Sequence, residues 1–180
     1  MLSRDVSRAA PSEHRPRRPV TLRAFPFAGL VLAHDAADAD AIRVAEVARA
    51  AADAGATPVV VAAPFDCELP NGARLVRTRA SGSEIAAIRV GMAQLTNTVA
   101  RAAILAHHGA RATSLVALLA LVDAAKRAQD AIVAFEEESL DDSVVIVPRD
   151  AWLELVTIGE SGIGVVAARR SVVRVPAPPG

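Results

Sequence analysis

Short apolar runs and amphipathic stretches alternate along most of the chain. FAGLVLA at 27–33 is a continuous apolar run of strand length. From Asp40 to Ala54, Val44, Val47, Ala48 and Ala51 recur at the spacing of one helical face, and Gly55 supplies a stop. TPVVVAA (57–63) reads as a buried strand and ARLVRT (73–78) as a shorter one. Ile85, Ile88, Met92 and Leu95 mark a second helix starting near Ser83. RAAILAH (101–107) is strand-like, and SLVALLALVDAAKRAQ (114–129) is helical with basic residues in its last turn. AIVAF (131–135) and SVVIV (143–147) predict strands, DAWLELV and SGIGVVAARR short helices, and SVVRV (171–175) a closing strand.

Strands alternating with helices, with runs apolar on both faces, predict an α/β domain: a three-layer, mostly parallel sheet covered on two sides. No internal repeat is visible. The expected organisation is a flexible basic tail over 1–21, one domain over 22–176 and a short tail over 177–180. The first segment is rich in Arg, Pro and Ser and poor in apolar residues, so it cannot offset its ordering entropy.

Composition narrows the function classes. The 180 residues carry no formal net charge, so the basic excess that nucleic-acid binding requires is missing. Aromatic residues make up 3% and tyrosine is absent, which removes base-stacking platforms. The single cysteine, Cys67, excludes an intramolecular disulfide and reads as a loop or packing residue between acids. No apolar run reaches the length of a membrane span, and the N-terminus lacks the apolar block of a secretory signal. The expectation is a cytoplasmic protein that binds neither nucleic acid nor membrane.

The segment that needs explaining is GLVLAHDAADADAIRV (29–44). A strand passes through a tight junction into a helix, the place where many nucleotide-binding α/β proteins carry glycines and a cation for phosphates. Here no glycine follows Gly29, no basic residue appears before Arg43, and Asp35, Asp38 and Asp40 are acidic. Three nearby carboxylates repel phosphate. One reading makes the junction an acidic helix start, with Asp38 or Asp40 as its cap.

The order and spacing of five blocks resemble the MobA-like NTP transferases, the molybdenum-cofactor guanylyl- and cytidylyltransferases, over about residues 27–175. The blocks are GLVLA, AAADAGATPVVVAA, SEIAAIRVGMAQL, AAILAHHGARATSLVALLALVDAA and SVVIVPRDAWLELVTIGESGIGVVAARRSVVRV. The resemblance implies the nucleotidyltransferase (Rossmann-like) sheet, a nucleotide loop after the first strand and a magnesium-binding aspartate after the fourth. The loop equivalents are Ala33, His34, Asp35 and Asp38, where the family has glycines, an arginine and a lysine. The aspartate position is His107, the proline position Gly109, and the family's Gly-His-Pro block falls on Asp142, Ser143 and Val144. Each motif position tied to nucleotide transfer is altered.

In such a sheet, ligands bind at the carboxyl ends of the strands near the switch in strand order. If the first and fourth strands are neighbours, His34, Asp35, His107 and His108 converge there. They are the candidate metal ligands, a set suited to zinc and ill suited to magnesium, which prefers oxygen. Adjacent residues at a strand end commonly point apart, which argues against all four meeting. FEEESLDD (135–142) reads as a solvated acidic loop, or as a divalent-cation site. GESGIG (159–164) follows a helix, so it is a weak phosphate cradle. A serine hydrolase is not supported, because no Gly-x-Ser-x-Gly elbow is present.

The functional expectation is a degenerate molybdenum-cofactor nucleotidyltransferase-like protein without transferase activity, acting as a binding or assembly partner within that pathway. No catalytic residue is assigned. Zinc or magnesium are the ions considered, and nucleotide binding is not expected. The alternative is an active CTP- or GTP-transferase with atypical phosphate and metal loops.

Overall fold

The computed structural model describes residues 25–80, 82–136, 138–141, 143–157 and 162–178. The tail expected over 1–21 lies outside the described residues. The chain runs β1 (Phe27–Leu32), α1 (Ala41–Asp53), β2 (Val59–Ala63), β3 (Ala73–Arg77), α2 (Glu84–Leu95), β4 (Ala102–His107) and α3 (Leu115–Arg127). It continues through β5 (Ile132–Phe135), β6 (Val144–Pro148), α4 (Trp152–Thr157), α5 (Gly162–Ala167) and β7 (Val172–Val175). One turn of 3-10 helix, Asp38–Asp40, leads into α1, and another, Arg149–Ala151, leads into α4.

The strands form one seven-stranded sheet in the order β3-β2-β1-β4-β6-β5-β7. β6 runs antiparallel to both its neighbours, and the remaining pairs are parallel. The mostly parallel three-layer sheet expected from the alternation is therefore present. The two edges depart from it: β3 and β7 are only half buried, with Arg74, Arg77 and Arg174 along them. An edge strand contacts one neighbour, and charged residues there discourage pairing with another chain.

Strand alternation sends side chains to two cores. Val31, Ile104, Ala106, Val133 and Ile146 pack beneath α1 and α3, while Leu30, Leu32, Leu105, Val145 and Val147 pack beneath α2, α4 and α5. Small side chains let the layers approach closely. At Gly91, mid-way along α2, any Cβ would overlap the buried Leu30 side chain.

Helix ends follow their local chemistry. Ser83 Oγ accepts from Ala86 N–H and Ser114 Oγ from Ala117 N–H, capping α2 and α3. Gly55, with φ +99°, adopts the left-handed conformation that ends α1, its N–H donating to Ala52 O at 2.9 Å. No helix among the described residues is long and apolar enough to cross a membrane.

What the fold fixes for function is the β1–β4 pair. In register, Leu32 lies beside His107, so the carboxyl ends of these two strands emerge together where the strand order changes direction.

Candidate metal centre at the carboxyl ends of β1 and β4

Past Leu32 the chain turns at once. His108 N–H donates to Leu32 O at 2.9 Å, Ala33 N–H to Ala62 O at 2.9 Å, and Ala36 N–H to Ala33 O at 3.3 Å. These bonds hold the two strand ends side by side while freeing the residues beyond them from strand alternation. As a result, sequence neighbours need not point apart, and the expected divergence at the strand end does not occur.

Asp35 stands at the centre. Its Oδ1 lies 3.2 Å from His107 Nε2, 3.6 Å from His108 Nδ1 and 3.9 Å from His34 Nδ1. The His34 and His107 rings meet edge-on at 5.7 Å between centroids, and those of His107 and His108 lie 4.8 Å apart. Ligand atoms of His34, Asp35 and His107 all fall within 4.8 Å of one another. A tetrahedral ion with bonds of about 2.0–2.2 Å requires donors about 3.3–3.6 Å apart, so these three would draw closer to share one, and His108, 3.6 Å from Asp35 Oδ1, stands outside the group of three.

The imidazoles are largely enclosed, each side chain 12–14% exposed, whereas Asp35 is 55% exposed at the mouth. Burial holds the His34 imidazole below its ordinary range; Asp35 opposes this, and the neighbouring His107 and His108 add to it. Burial and His107 likewise lower His108, against the pull of Asp35 and Asp40. Burial alone would raise the Asp35 carboxyl, but His107, its own backbone N–H, His34 and His108 together bring it down. Near neutral pH the site thus holds neutral His34 and His108 rings around an ionised Asp35. Its contacts with those two rings are not full ion pairs.

Two ring nitrogens, His34 Nδ1 and His108 Nδ1, are buried without a hydrogen-bond partner. Unpartnered buried nitrogens are costly, and here both face one carboxylate. His107 differs: its Nδ1 accepts from Gly109 N–H at 3.2 Å.

The remaining loop residue of interest does not join the cluster. Asp38 is exposed in the 3-10 turn. Asp40 does not cap α1 as expected; its Oδ2 accepts from Ala37 N–H at 2.8 Å. It closes the 3-10 turn ahead of α1, not α1 itself, whose first residue has no side-chain cap. Arg43, the nearest cation in sequence, is committed to the β4–α3 connection: its Nη2 donates to Ala110 O at 3.1 Å and Thr113 Oγ1 at 2.7 Å. Ser143, at the head of β6, was legible only as an altered motif position. It is 2% exposed, its hydroxyl has no partner, and its carbonyl accepts from His107 N–H at 3.5 Å.

In the acidic run 135–142, Glu137 and Asp142 lie outside the described residues; Glu136, Ser139 and Asp141 are exposed, Asp141 Oδ1 accepts from Gly164 N–H at 3.1 Å, and one Glu138 carboxylate oxygen is buried without a partner. Cys67 is half-buried, its thiol pushed up by burial and then by Asp66. It lines a cavity of about 390 Å³ between α1 and the loop after β2, beside Glu46, Arg49, Asp66 and Glu68. That cavity is not formed by the histidines, and its carboxylates outnumber its one arginine, which disfavours a triphosphate there.

No protein-family model matches the chain, and no curated protein matches it. Solved structures do. Rv0371c from Mycobacterium tuberculosis superposes with a TM-score of 0.65 at 16% identity, over 85% of this chain and 88% of that one. The same protein in complex with manganese gives 0.61 at 14% identity, over 85% and 88%. The 2-C-methyl-D-erythritol 4-phosphate cytidylyltransferase of Thermus thermophilus gives 0.54 at 12% identity, over 83% and 89%. At these identities the likeness is one of fold. The sheet is of the nucleotidyltransferase type, as the order of segments implied.

Proposed function

We propose that the protein is a nucleotidyltransferase-like binding protein that has exchanged nucleotide transfer for a divalent-metal centre made by His34, Asp35, His107 and His108. The observation that carries this reading is the convergence of three enclosed imidazoles on one carboxylate, two of them with unpartnered nitrogens, where transferases of this fold hold phosphates.

The donor set does not fit magnesium. That ion takes oxygen ligands in octahedral geometry, and three of the four donors are nitrogens. It fits zinc or another late divalent transition ion, for which neutral imidazole and carboxylate are ordinary ligands. The complex of Rv0371c with manganese shows a divalent ion with a protein of this fold, which accords with the reading. When bound, such an ion would supply Lewis acidity and a coordination position open to a partner group. His34 and His108 are held neutral in readiness, and Asp35 supplies the negative charge.

Phosphate handling is the function this surface lacks. Phosphoryl chemistry depends on fixed positive charge and metal, worth several orders of magnitude in rate. The loop offers Asp35, Asp38 and Asp40, and Arg43 is bound to backbone and Thr113. The resemblance in segment order to the molybdenum-cofactor transferases supports a place as a binding or assembly partner in that pathway. Incubating the purified chain with magnesium, CTP or GTP and a molybdopterin acceptor tests the loss of activity. The expected result is no nucleotidyl transfer above a blank without protein. Turnover that disappears when the 34–38 loop is altered would instead establish the transferase alternative.

A further inference from the structure

We infer that filling the histidine cluster with a divalent ion releases the Gly109 amide and opens the turn between β4 and α3, making that turn metal-responsive. The inference rests on the reading of the cluster as a metal site and adds a consequence in the protein's own backbone.

It follows from the valence of one imidazole. His107 Nδ1 accepts from Gly109 N–H, so in this state it carries no proton, and the ring's proton sits on Nε2, facing Asp35 Oδ1 at 3.2 Å. If an ion binds through Nε2, a neutral ring must place its proton on Nδ1, and two N–H groups then face each other. If the ion binds through Nδ1, the lone pair that Gly109 uses is consumed. Either way Gly109 loses its acceptor. Only an ion held without His107 spares it.

The turn is built so that this loss has somewhere to go. Gly109 is exposed, so its released N–H meets water and is not stranded in the interior. A Cβ at this position would lie 3.3 Å from His107 Nδ1, so glycine leaves the close approach of ring and peptide uncluttered. The next residue transmits the movement. Ala110 N–H donates to His107 O at 3.0 Å, and Ala110 O receives Arg43 Nη2, which also reaches Thr113 Oγ1. The turn is thereby tied to the first turn of α1 on one side and to the start of α3 on the other. A peptide displaced at Gly109 loads both ties.

The test uses the full-length chain and zinc alone, at about pH 8, above the ordinary histidine range. Two-bond proton–nitrogen spectra of the imidazoles report the protonation of each ring nitrogen, and amide spectra report the backbone. With one equivalent of zinc, His107 Nδ1 is expected to change from an unprotonated acceptor to a protonated or metal-bound nitrogen. The Gly109 and Ala110 amides are expected to shift with it, while that of Gly55, at the far end of α1, stays in place. Zinc bound one per chain with His107 Nδ1 and the Gly109 amide unchanged would overturn this inference and leave the metal centre standing. A chain that takes up no zinc would overturn both.

Discussion

At the scale of single residues, the site's electrostatics set a direction for stability against pH. His34 and His108 have folded-state values below their unfolded ones, and so has Asp35. A group lowered in the folded state stabilises above its unfolded value and loses that contribution as pH falls toward the folded one. For the two histidines the window opens near the ordinary value of about 6.5 and extends downward; for Asp35 it lies in the carboxylate range. Urea unfolding in the presence of a chelator is therefore expected to show stability declining as pH drops from about 7.5 to 5.5. The His34→Asn, His108→Asn double variant is expected to show a shallower decline. A stability that stays flat or rises on acidification would contradict the assignment of neutral, enclosed rings.

Asp35 separates the two roles of the cluster. Removing it in Asp35→Asn keeps the volume and deletes the charge that organises three imidazoles. The expected outcome is zinc affinity weakened by roughly 10-fold or more, comparable to loss of a supporting metal-site group. Calorimetric titration checks it, and an unchanged affinity would place the ion elsewhere. The same residue shows what was readable beforehand. The nearness of His34, Asp35, His107 and His108 was legible from two strand-end positions and an expected strand adjacency, although strand alternation argued against all four meeting. The bond from Gly109 to His107, the commitment of Arg43 to Ala110 and Thr113, and the buried Ser143 hydroxyl beside β4 depend on turn geometry and side-chain rotamers, which periodicity does not encode.

At the scale of elements, α2 gives the clearest test of packing. Glycine in mid-helix costs about 1 kcal/mol relative to alanine, so propensity alone favours Gly91→Ala. The close approach of α2 to β1 opposes it. The added Cβ would overlap Leu30 Cδ1 and lie 2.9 Å from Cδ2, and Leu30 is fully buried. Overpacking of this kind costs about 1–3 kcal/mol, which exceeds or cancels the helical gain. Gly91→Ala is expected to be neutral to destabilising, and Gly91→Val plainly destabilising, by denaturant unfolding. A stabilised alanine variant would show that the layer has room. The element boundaries themselves followed the sequence closely because alternating apolar runs, Ser83, Ser114 and Gly55 mark them. The half-exposed edges were not legible: ARLVR and VVRV carry enough apolar residues to look like interior strands, and only strand order reveals that they lie at the rim.

At the scale of the whole molecule, the chain shares its fold with a cytidylyltransferase at 12% identity, and three imidazoles and a carboxylate stand at the switch in its strand order. Fold alone does not decide function. The central proposal is that the carboxyl ends of β1 and β4 take up a divalent ion. The direct measurement is a zinc titration of the untagged protein by calorimetry, beside the His34→Ala, His107→Ala double variant. About one ion per chain in the wild-type protein, weakening as pH falls through the histidine range and lost in the variant, is the expected result. Equal, substoichiometric binding in both proteins would contradict it.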